Sequence, residues 1–157
     1  MSEEAVVSIK MIKLYFELQE DEKLSKKVKE IDVLRLECDV AFRTFDGEIK
    51  IYDAAIVDTG AFISLIPRSI WENVEHEKIA SHVVRGIVPK KECSVDVIIG
   101  KIKIRLIDEE NETNEMEVYA YLAMTDEVPL IIGFKDILTE FKISIDFKEN
   151  EAFIEEK

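Results

Sequence analysis

Ala54-Ala55-Ile56-Val57-Asp58-Thr59-Gly60-Ala61-Phe62-Ile63-Ser64-Leu65-Ile66-Pro67 carries one carboxylate between two apolar runs. Alternation over Glu48 to Val57 predicts a strand that ends at Asp58. A carboxylate at the end of a buried strand is held rigid at the floor of a cleft. A following Thr can bond backbone groups, and a Gly lets two backbones approach closely. Taken alone, Asp58-Thr59-Gly60-Ala61 is equally an ordinary turn after a strand. Its flanks and the rest of the chain decide between these readings.

Outward from this stretch, the pattern is mostly β. Val6 to Leu18 alternates and predicts a strand, followed by a charge-dense linker over Gln19 to Glu30. Val33 to Phe42 and Glu48 to Val57 form a hairpin about Phe45-Asp46-Gly47, since Asp-Gly favours positive φ. Pro67 to Glu77 has helical spacing, with Ile70, Trp71 and Val74 as its apolar stripe. Val83 to Ile87 and Cys93 to Ile107 are strands around a polar connection at Val88 to Glu92. Asp108 to Glu115 is an acidic loop. Met116 to Ala123 and the short apolar Val128 to Ile132 are strands. Phe134 to Phe141 is a short helix, and Ile143 to Phe147 and Ala152 to Ile154 close the chain as strands. The sum is a mostly β domain with two short helices, the pattern of a barrel or partly open barrel.

Size and charge narrow the function. The 157 residues suit one domain, not two lobes of ordinary size. A net charge of −13, from 21 Lys+Arg against 34 Asp+Glu, repels phosphate backbones and anionic lipid. No nucleic-acid or membrane partner is therefore expected. No apolar run approaches the ~20 residues of a bilayer span. The start, Met1-Ser2-Glu3-Glu4, is acidic where a signal peptide would be basic. Cys38 and Cys93 form no CxxC unit, so a reduced, cytoplasmic chain is expected, with their pairing left open.

A second stretch completes the pattern: Pro129-Leu130-Ile131-Ile132-Gly133-Phe134-Lys135-Asp136-Ile137-Leu138, followed by Phe141 to Phe147. Two apolar residues before Asp58-Thr59-Gly60-Ala61, Ser64 three residues beyond, and this late apolar–apolar–Gly element resemble the retropepsin-like aspartic proteases. The cellular branch of that family fits best. The likeness spans Ile31 to Ile154. It divides the chain into an extension, residues 1–30, and a protease domain, residues 31–157. Two departures stand out. Phe62 replaces a residue that is often polar or acidic in viral members, and one extra residue separates Gly133 from Ile137-Leu138.

The resemblance implies a single-domain acid-protease barrel acting as a homodimer on a peptide or protein substrate. Asp58 would be catalytic; Thr59, Gly60, Ala61 and Ser64 would support its loop. Peptide hydrolysis by carboxylates needs two of them, one to accept a proton from water and one to donate. The chain has one Asp-Thr-Gly, and Asp46-Gly47 lacks the Thr, so Asp58 of a second copy must complete the pair. The hairpin from Val83 to Val95 is the candidate flap, with Gly86, Ile87, Val88 and Pro89 toward its tip. No metal and no cofactor are required. The alternative is a non-catalytic dimeric peptide-binding or assembly module on the same fold.

Other candidates give way to plainer readings. His76 and His82 are six residues apart, and with Cys93 they match no metal-binding spacing. Ser64 sits in no GxSxG and instead suits local support of the Asp58 loop. The Asp108 to Glu115 loop lacks EF-hand spacing.

Overall fold

The computed structural model describes residues 11–20, 26–27, 32–85 and 94–156. Among these, ten strands form one sheet. They are β1 Met11–Glu20, β2 Asp32–Arg43, β3 Ile49–Val57, β4 Ser64–Ile66, β5 His76–Arg85, β6 Ser94–Ile107, β7 Met116–Ala123, β8 Ile131–Ile132, β9 Phe141–Asp146 and β10 Glu151–Glu156. Their order is β5-β6-β7-β4-β8-β3-β2-β1-β10-β9, with a further pairing of β6 to β2. The hydrogen-bonded run therefore returns on itself through β2, β3, β8, β4, β7 and β6. Most pairs are antiparallel, but β3–β8 and β4–β7 are parallel. No described helix is long and apolar enough to cross a membrane.

Alternation along the strands builds the core. In β6, Ile102, Ile104 and Leu106 point inward and pack with Val40 and Phe42 of β2, Leu122 of β7 and Ile132 of β8. Earlier in β6 the buried positions are Val95 and Val97, one step out of phase with Ile102. β6 itself carries no inserted residue, since its register with β7 is unbroken from Val97 to Ile104. Val95 and Val97 therefore lie on the opposite face of the strand from Ile102, where they join a second, smaller core with Leu65, Ala123 and Val128.

The stretch 1–30 contributes more than a charged lead-in. β1 lies between β2 and β10, with Ile12 opposite Ile154 and Phe16 opposite Leu36. Ile12 and Leu14 are fully buried. The strand expected over Val6 to Leu18 runs on to Glu20 in its described part, so it takes in the first residues of the expected linker. The 45–47 turn forms as expected, with Gly47 at φ +86°.

Three expectations are corrected. The helix predicted over Pro67 to Glu77 is one turn, α1 (Arg68–Trp71), because β5 already begins at His76. Val74 is still buried, and the Trp71 indole N–H donates to the Ala123 carbonyl at 2.6 Å. The helix predicted over Phe134 to Phe141 is a set of turns ending in a 3-10 turn, Leu138–Glu140, and Phe141 opens β9. The strand expected over Val128 to Ile132 shrinks to β8, since only Ile131 and Ile132 pair with β3 and only Ile131 also pairs with β4.

Candidate active site

Asp58 follows β3 directly, and its backbone is tied to the late motif. The Ile56 N–H donates to the Leu130 carbonyl at 2.8 Å, and the Asp58 N–H to the Ile132 carbonyl at 3.0 Å. The chain then turns tightly. The Ala61 N–H donates to the Asp58 carbonyl at 3.2 Å, and the Gly60 N–H to the Asp58 side-chain Oδ1 at 2.8 Å. A Cβ at Gly60 would stand 3.2 Å from that same Oδ1, so Gly60 leaves room for the carboxylate. The carboxylate has no other hydrogen bond among the described residues.

After the turn the chain passes over the end of β8 and returns as β4. β8 thus lies between two strands that are consecutive in the chain, parallel to β3 and antiparallel to β4. The late motif grips this crossing. The Phe134 N–H donates to the Ala61 carbonyl at 3.0 Å, and the Lys135 N–H to the Phe62 carbonyl at 2.7 Å. The buried Ser64 hydroxyl accepts the Gly133 N–H at 2.9 Å. Ser64 is therefore not a local brace, as expected from sequence; its partner lies 69 residues on. Gly133 is required by contact: a Cβ there would lie 2.7 Å from the Ala61 carbonyl oxygen.

Asp58 borders a cavity of about 380 Å³. Gly60 and Ala61 of the turn, Leu65 of β4 and Ile131 of β8 line it, so the two sequence motifs meet at one site. Val84 and Arg85 at the end of β5 also line it, inside the hairpin expected as the flap but not singled out there, and sequence reasoning missed Tyr121 of β7. Tyr121 stacks on His82 of β5, ring centroids 5.7 Å apart. The β5 residues were hard to find because this strand is exposed on nearly every position and lacks an apolar face. Tyr121 and Ile131 were legible only as members of apolar strands.

Thr59 is exposed, and Phe62 is 70% exposed beside the cavity. The hairpin proposed as a flap exists up to the Arg85↔Ser94 pair. Gly86, Ile87, Val88 and Pro89 lie outside the described residues, as does Cys93. Of the two histidines, His76 packs against Trp71 and Phe45, whereas His82 faces Tyr121. Among the described residues no group of three His, Cys, Asp or Glu side chains is gathered for a metal. Cys38 is buried, and loss of solvation pushes its thiol up to about 12, with the Asp39 charge acting the same way.

Compared with known proteins, the chain matches no family model, no curated protein and no solved structure.

Proposed function

We propose that the protein is a homodimeric aspartic endopeptidase of the retropepsin-like type, with Asp58 of two copies as its paired carboxylates. The observation that carries this reading is the meeting of Asp58-Thr59-Gly60-Ala61 with Ile131 and Gly133 around one strand end. There a carboxylate borders a cavity under the end of the β5–β6 hairpin. The closed run of pairings supports a barrel-like fold. A plain surface turn has no need of a lattice of backbone hydrogen bonds to residues about 70 positions on.

In this mechanism two like charges at contact distance cannot both ionise cheaply, so the pair holds one proton between them. The ionised carboxylate takes a proton from water as the oxygen attacks the peptide carbonyl. The protonated partner gives its proton to the carbonyl oxygen, producing a neutral tetrahedral diol. Collapse of the diol breaks the C–N bond, and the amine leaves with a proton returned by the pair. Water is the nucleophile, so no covalent enzyme intermediate forms and no cofactor takes part. Thr59, exposed in one chain, would brace its counterpart across the two-fold axis, a role the resemblance implies. Substrate would lie extended, pairing its backbone with strand edges under the hairpin.

The test is cleavage of a complex peptide library from about pH 3 to 7 by wild type and Asp58→Asn, read as new termini by mass spectrometry. Cuts made by the wild type and absent from Asp58→Asn are expected. No cuts at any pH from a protein that sediments as a dimer would overturn the endopeptidase and favour the peptide-binding or assembly module. A protein that stays monomeric at high concentration would overturn both.

A further inference from the structure

The cavity beside Asp58 has an apolar wall and one cation. Leu65 is 2% exposed, and Val84, Tyr121 and Ile131 are partly buried around it. The charged groups on its lining, among the described residues, are Asp58 and Arg85. Arg85, like Arg35, makes no ion pair and no side-chain hydrogen bond with any described residue, whereas Arg43, Arg68 and Arg105 are each paired to a glutamate. Arg35 does not line the cavity, so Arg85 is the unpaired guanidinium on it. Arg85 sits at the last described pair of β5 with β6, so its backbone is fixed while its fork is free. A guanidinium presents donors in the geometry that a carboxylate accepts on both oxygens.

We propose that Arg85 makes this site selective for extended peptides that place a large apolar side chain in the cavity and an Asp or Glu side chain within a residue or two of it. The proposal rests on the reading of the cavity as a peptide cleft. The apolar wall takes the first group by burial, and Arg85 takes the second by a charge-assisted hydrogen bond. The protein's overall charge of −13 opposes approach of an acidic peptide. That repulsion is screened within about 8 Å at physiological salt, so it acts on encounter more than on the contact itself. Arg85 therefore sets which peptide stays bound, not how fast one arrives.

The experiment uses Asp58→Asn protein, to prevent turnover, and fluorescent decapeptides capped at both ends. Each carries one Phe and, two residues away, Glu, Gln or Lys. Anisotropy gives the affinities. Because Arg85 is exposed, the Glu peptide is expected to bind roughly two- to fivefold tighter than the Gln peptide, with Lys weakest. The order should flatten when Arg85→Gln is added and invert with Arg85→Glu, both variants keeping the wild-type circular dichroism. Equal affinity for Glu and Gln, a preference untouched by Arg85→Gln, or no binding of any peptide would overturn the proposal. Wild-type protein given the same peptides separates the two readings. Charge-ranked binding without cleavage sinks the endopeptidase and leaves the selectivity standing. Cleavage without charge ranking does the reverse.

Discussion

Ser64 and Gly133 meet as a single hydroxyl accepting a single buried N–H. Ser64→Ala leaves that donor unpaired, at a cost of about 1–3 kcal/mol measured by urea unfolding. Gly133→Ala drives a methyl into the Ala61 carbonyl, and the backbone must shift under the Asp58 turn. A loss of about 1–3 kcal/mol is expected, with cleavage falling further than stability because the carboxylate itself is moved. An unchanged cleavage rate in a destabilised Gly133→Ala protein would show that the turn tolerates displacement. The Asp108 carboxylate offers a residue-scale pH test. Burial pushes its pKa up, but the N–H groups of Lys13, Glu110 and Asn111 outweigh burial and hold it below its ordinary value. A lowered folded-state pKa stabilises above the unfolded carboxylate range, and that contribution is lost as pH falls through the folded value. Asp108→Ala should therefore lower the Tm at neutral pH, and the gap from wild type should close in strong acid. At this scale Asp58 and Gly60 were legible because their chemistry is local. Ser64's partner and Arg85 were not, since each depends on where a distant strand arrives.

β1 ties the beginning of the described chain to its end, through Ile12 opposite Ile154 and Leu14 opposite Ala152. Leu14→Ala opens a cavity in the main core and should cost about 2–5 kcal/mol in chemical unfolding. A cost under 1 kcal/mol would mean that β1 is peripheral. β2 and β7, each with a buried face, were readable from alternation, and β3, buried only at Ala55 and Val57, also lies close to where the sequence puts it. β5 was not, because it lacks an inward face over most of its length, and its opening residues were absorbed into the preceding helix. β8 was recognisable as apolar but not as a two-residue strand clasped between β3 and β4. That role is set by the crossing chain, not by its own composition.

For the whole molecule the central prediction is association. Two copies, each with a charge of −13, repel, so the dimer should tighten as salt rises from low to physiological ionic strength. Sedimentation equilibrium across that range checks it. A dimer that loosens with salt would point instead to an interface held by ion pairs. The proposed second copy rests on counting carboxylates; the sequence does not say where it would sit, because an interface leaves no period-2 or period-3.6 signature in one chain.

The clasp of β8 between β3 and β4 also has a consequence in time. Asp58 leaves the ribosome long before Ile131, Gly133 and Lys135, which hold its turn. Until those residues emerge, the strand that carries Asp58 has no neighbour on that side. Contacts so far apart in sequence are slow to form. A growing chain therefore carries the Asp58 turn unbraced, and the turn is set only when most of the domain has been made.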